Sequence, residues 1–193
     1  ILGIGLLSLL LMIRKVIDLA RMGVDSQPVA QAFIARVAQG GRAAAEPALA
    51  SFRSTTREIF STGLEHMDLS KIVLEEHLQA LLLKQRLHFE RRLPLLAVIA
   101  TAAPLMGLLG TVVGMVKTFA LITVFGTGNA GKLASGISEV LVATELGLAV
   151  AIPTLVVHAF LSQRIHKNLA TLERYALEFV TAAKSGRPEK TSA

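Results

Sequence analysis

Three stretches of this chain are apolar almost without interruption, and the segments between them repeat apolar residues at helical spacing. The longest, Leu93 to Val116, has no charged residue in 24 positions and continues past Lys117 as Thr118 to Phe125. A helix over this run exceeds the roughly 30 Å hydrocarbon core of a bilayer, so one end is expected to project from it. Another, Leu146 to Gln163, is prolonged upstream by Ser135 to Glu145, where Glu139 and Glu145 are the only charges. The first, Ile1 to Ile13, is stopped after 13 residues by Arg14 and Lys15. That falls short of the about 20 residues a span requires, and it reads as a first transmembrane helix truncated at its start. A signal peptide fits less well, since neither a basic leader nor a small-x-small cleavage site flanks it.

Between the first and second runs the pattern turns polar but stays helical. Ser26 and Pro28 suit a cap and a first turn, Gly40-Gly41 reads as a break, and Asp68 is expected to open a further helix. Ile72, Leu74, Leu78, Leu81, Leu82 and Phe89 recur near helical spacing, which predicts a helical hairpin packed beneath the membrane. No strand signal competes. The expected fold class is an all-α membrane protein with three transmembrane helices, extended by a cytoplasmic helical bundle. The segments are a partial first span at 1–13, a cytoplasmic helical region at 14–92, a second span at 93–125, a periplasmic turn at 126–134, a third span at 135–163, and a cytoplasmic helix with a flexible tail at 164–193.

Composition agrees with this division. A chain with 52% hydrophobic and 18% charged residues and a mean hydropathy of +0.57 is too apolar for an ordinary soluble domain. The formal charge of +6 invites a nucleic-acid reading, but 5% aromatics supply few stacking platforms. Where the basic residues fall explains the excess better. Twelve of the 20 lie between Arg14 and Arg92 and six follow Leu161, leaving Lys117 and Lys132 near the connection between the second and third spans. The positive-inside rule makes the basic side cytoplasmic, with the N-terminus periplasmic and the C-terminus cytoplasmic. Without cysteine the chain has no disulfide, thiolate metal site or thiol nucleophile.

Two motifs are set aside. Gly126-Thr127-Gly128-Asn129-Ala130-Gly131 matches the spacing of a dinucleotide-binding loop, but the apolar run before it is far too long for the strand such a loop follows. His66, His77 and His88 recur every 11 residues. On one continuous helix that interval rises about 16 Å, so the three rings cannot share a metal, and they read as surface positions. No nucleophile–base or paired-carboxylate arrangement emerges, and an enzyme is not expected.

Polar groups inside hydrocarbon are costly and carry a functional expectation by default. Pro104, Gly107, Thr111, Gly114 and Thr118 follow steps of three and four along the second span, with Gly110 beside them. Gly136, Val140, Ala143 or Thr144, Gly147 and Ala151 form a similar small-residue stripe on the third. Close helix packing and a polar path are both open readings of the glycines; the Thr111 and Thr144 hydroxyls can in addition relay hydrogen bonds along a wet path. Glu139, at the outer end of the third span, suits a water-accessible vestibule or an ion pair with a basic neighbour. It is rotated well away from Thr144. Pro104 and Pro153 each remove a backbone hydrogen bond, which shapes either a pathway or the packing.

The stretches APLMGLLGTVVGM at Ala103 to Met115 and GISEVLVATELGLAVAIP at Gly136 to Pro153 resemble the ExbB/TolQ/MotA family of inner-membrane proton-channel subunits. The likeness covers Pro94 to Arg164 and is greater to ExbB and TolQ than to MotA, which has a fourth span, with ExbB nearest. It implies a homopentamer surrounding the single-span helices of two ExbD-like subunits, whose membrane Asp takes the proton. It also implies a TonB-like force-transmitting protein, contact with membrane lipid, and neither a cofactor nor a nucleic-acid partner. Thr111 and Thr144 fall on the family's pathway threonines and Glu139 on its acidic residue, whereas Glu145 stands where ExbB and TolQ have a small residue. The implied function is to use the proton-motive force to energise TonB-dependent transport across the outer membrane. A TolQ-like role in the Tol envelope-maintenance system and a passive membrane scaffold are the alternatives.

Overall fold

The computed structural model describes residues 2–21, 24–126 and 130–185, and its regular elements are all helical. They run α1 (Leu2–Arg21), α2 (Gln27–Ala45), a 3-10 turn (Glu46–Ser51), α3 (Ser54–Glu65), α4 (Lys71–Glu90), α5 (Leu93–Phe125) and α6 (Ala130–Ser185). The chain divides into two compact units, one of Ile1–Ile17 with Arg92–Ser162, the other of Asp18–Arg91 with Gln163–Ala193. Among the described residues two helical stretches are long and apolar enough to cross a membrane, one within Lys71–Val124 and one within Ala134–Ser185. The apolar part of α1 is shorter, since Arg14, Lys15, Asp18 and Arg21 follow it in the same helix.

Local chemistry sets the ends of these elements. The break expected at Gly40-Gly41 is present: Gly41 has φ 63° inside α2, a conformation glycine adopts without Cβ strain. Ser26 occupies the cap position of α2, with Pro28 in its first turn. Gly126, with φ 69°, ends α5 and returns its N–H to the Ile122 carbonyl at 2.8 Å.

Several helix ends do not coincide with the segment bounds drawn from the sequence. α1 runs past residue 13 to Arg21, because charges alone do not end a helix. Asp68 does not open α4; it lies in the turn before it, and Ser70 is the cap, its hydroxyl accepting from the Val73 N–H at 3.4 Å. Helix resumes at Ala130 rather than after residue 134, and α6 continues unbroken past 163 to Ser185. Residues 127–129 of the glycine-rich motif and the tail at 186–193 lie outside the described residues.

In the first unit α5 and α6 run antiparallel. Gly107 meets Ala143, Thr144 and Gly147, Gly110 meets Ala143, Gly114 meets Val140, and Thr118 meets Gly136. α1 joins through Gly5, which lies against Val150. Large apolar side chains point outward instead: Leu105, Val116 and Leu141 are 65%, 64% and 66% exposed.

The second unit is built around aromatic rings. Phe33 stacks on Phe60 at 4.5 Å, Phe52 meets both edge-on at 5.1 Å, and Phe179 lies 6.0 Å from Phe60. Gly63 leaves the room that Phe179 fills, since a Cβ there would come within 2.6 Å of the ring. The Tyr175 hydroxyl donates to the Asp25 carbonyl at 3.0 Å, while the Asp25 carboxylate accepts from the Arg53 N–H at 2.9 Å. Burial raises the Tyr175 phenol above its usual value, with Arg174 acting in the opposite sense.

The histidine interval also reads differently. α3 ends at Glu65 and the chain turns before α4, so His66 and His77 stack at 4.3 Å while His88 packs on Phe89. Each ring of the stacked pair donates Nδ1–H to its own helix, to the Thr62 and Val73 carbonyls. No group of three or more metal-ligating side chains occurs among the described residues.

Candidate functional site

The contact line between α5 and α6 is made of the smallest side chains available. A Cβ on Gly147 would sit 2.9 Å from the Ala103 carbonyl oxygen and 3.1 Å from Gly107 Cα; a Cβ on Gly107 would sit 3.1 Å from the Ala143 carbonyl oxygen. These obstacles are backbone atoms, which cannot rotate away, so the two helices approach this closely only because both positions are glycine. Gly110 is limited by the Ala143 Cβ at 2.8 Å and Gly114 by a Val140 methyl at 2.5 Å.

That line fixes where the polar residues go. Thr111 is one residue beyond Gly110, and Thr144 one beyond Ala143, its contact. On antiparallel right-handed helices a forward step of about 100° on each turns both side chains to the same side of the pair. Thr111 and Thr144 therefore share one side, within a helical turn of the same depth, and both are half-buried.

Their hydroxyls differ in commitment. Thr111 Oγ1 donates to the Leu108 carbonyl at 2.6 Å, as Thr118 does to Gly114 at 2.9 Å and Thr154 to Val150 at 2.7 Å. The Thr144 hydroxyl makes no hydrogen bond with a described residue. Helical threonines ordinarily satisfy themselves on the preceding turn, so Thr144 retains its donor for another group.

The other sequence-predicted residues are not gathered with the threonines. Glu139, one residue before Val140, turns to the opposite side of the pair. Glu145, two residues from both Ala143 and Gly147, points away from α5 into an exposed stripe with Leu141, Leu148 and Ile152. Pro104 is half-buried within α5, on the threonine side; Pro153 lies exposed within α6. Thr154, fully buried, and Ser8, 2% exposed on α1, were not singled out by sequence. The signal for Thr154 was the continuation of the Gly147–Ala151 spacing by one further step of three.

A family model described as the MotA/TolQ/ExbB proton channel family matches residues 51–174, well over half of the chain. The chain belongs to that family. Its members are membrane proteins serving transport rather than enzymes, in keeping with the apolar exterior of α5 and α6. Among curated relatives, the biopolymer transport protein ExbB of Aquifex aeolicus is 40% identical over 83 residues, 43% of this chain and 56% of that protein. The Tol-Pal system protein TolQ of Haemophilus influenzae is 35% identical over 92 residues, 48% of this chain and 40% of its own length. A putative ExbB homolog of Methanothermobacter thermautotrophicus is 26% identical over 172 residues, 89% of this chain and 61% of that protein. The chain thus spans between two-fifths and about three-fifths of the relatives named.

Proposed function

We propose that this MotA/TolQ/ExbB-family chain is an ExbB-like subunit of an inner-membrane ring that converts the proton-motive force into mechanical work on a partner, energising TonB-dependent transport across an outer membrane. Three spans cross the membrane, α1 supplying the first, with the N-terminus periplasmic and the second unit cytoplasmic. Five copies surround single-span ExbD-like helices, each bearing the Asp that takes the proton, and a TonB-like protein carries the force onward. Neither α5 nor the apolar part of α6 contains an Asp, which is in keeping with a carrier on the partner.

The observation that carries this reading is the threonine pair. A dry path needs polar contacts for a carboxyl group that gains and loses its proton, because an unpaired carboxylate in hydrocarbon is costly. Thr144, with its hydroxyl uncommitted, donates to the partner's carboxylate in the charged state; Thr111, beside it at similar depth, supplies a second oxygen. Protonation removes the charge and lets the inner helix leave the contact and turn within the ring. Glu139 and Glu145 complete this path in the assembled ring: the ring brings the Glu145 face of one chain toward the next, and Glu139 stands at the outer mouth.

Native mass spectrometry of the detergent-extracted complex, expressed with its genomic neighbours, tests the assembly. Five copies with a short, single-span, Asp-bearing chain are expected. A passive scaffold would come out without such a chain, and a partner of the Tol system instead of a TonB-like one would move the assignment to the TolQ branch.

A further inference from the structure

The side of the α5–α6 pair opposite the threonines carries its own two charges. Lys117 is the single charged residue of α5. It precedes Thr118, which packs on Gly136, as Glu139 precedes Val140, which packs on Gly114. A backward step on each antiparallel helix turns both side chains to one side, as the forward step does for Thr111 and Thr144, but in the other sense. In this register Lys117 and Glu139 stand within a helical turn of each other in depth. Both are exposed, and neither makes an ion pair with a described residue.

In water two such groups have little reason to meet, since an exposed pair gains almost nothing over hydration. Within an apolar span the balance reverses: each charge alone is costly, and the register brings within reach of each a group able to neutralise it. The four-carbon stem of the lysine gives it the reach to cross between adjacent helices. We propose that Lys117 and Glu139 of the same chain form an ion pair across α5 and α6 in the membrane. It is a positioning pair: it fixes the rotation of the two helices and so keeps Thr111 and Thr144 together on the other side. The pairing itself stands apart from the proton-path reading; only its benefit to the threonines rests on that reading.

Because residues 1–193 contain no cysteine, the double variant Lys117→Cys/Glu139→Cys places the only two thiols among them at the positions of interest. Treated in membranes with a short bifunctional thiol reagent, it is expected to give a linked product at monomer mass. A ladder of linked dimers, or no link, overturns the proposal. Charge exchange supplies the second arm. Lys117→Glu and Glu139→Lys should each lower the thermal midpoint of the purified complex and its proton flux, with Lys117→Arg close to the parent. The exchanged double variant should recover more than half of both losses; losses that simply add overturn the pairing. If the parent complex conducts no protons while the monomer-mass link still forms, the path reading fails and the ion pair stands.

Discussion

The two units of this chain solve the burial problem in opposite ways. In the second, Phe33, Phe60, Phe179 and Leu172 are at most 2% exposed and form the core, with ion pairs such as Arg86–Glu173 at 2.9 Å on the outside. In the first, glycine, alanine and threonine, with Val140, line the contact between α5 and α6, while Leu105, Val116 and Leu141 face outward. Water drives large apolar groups together; hydrocarbon does not, and there close backbone approach decides which helices pair. The same residue type therefore has different consequences in the two units.

Substitutions sharpen that contrast. The largest effect is expected for Phe60→Ala, which empties the centre of the aromatic cluster and should cost about 3–5 kcal/mol of unfolding free energy by denaturant titration in detergent. Gly147→Leu comes next, at about 1–3 kcal/mol by the same titration, because its side chain would meet the Ala103 carbonyl and the Gly107 backbone rather than a movable group. If Gly147→Leu leaves stability unchanged, the backbone contact is not what joins α5 to α6.

Alkaline pH should separate the units more gently. Tyr175 has a folded-state pKa raised from 10.0 by burial, so its neutral form is favoured in the fold. The stability this represents is complete below pH 10.0 and is lost as pH rises through the higher folded value. Tyr175→Phe should flatten that alkaline decline in a thermal-midpoint series, and an unchanged slope would assign the decline to other groups. The smallest effect is expected for Leu105→Ala: at 65% exposed, it should lose only a few tenths of a kcal/mol and shift the midpoint by about 1 °C or less, whereas a core leucine truncation costs about 2–5 kcal/mol.

Much of this was legible in the sequence. The α5 bounds follow from an apolar run broken only by Lys117 and ended by a glycine, and the Gly107 and Gly147 spacings announced a close contact. Other features needed three dimensions. The stacking of His66 on His77 depends on a turn that an 11-residue interval, read as one helix, conceals. That Glu139 and Thr144 are rotated apart was legible on α6 alone, but the sharing of one side by Thr111 and Thr144 depends on which residues of α5 meet which of α6, a register that neither helix encodes alone. Lys117 was read only as a charge near a connection, since its significance comes from the side of the helix pair it shares with Glu139.

The central claim is that the threonine side of the α5–α6 pair serves proton passage, and Thr144→Val tests it most directly. Valine keeps the shape and removes the uncommitted hydroxyl. Measured in proteoliposomes holding the complete complex, with assembly verified by native mass spectrometry, the variant should assemble as the parent does and lose proton-coupled output. Full output from an assembled Thr144→Val complex would contradict the account.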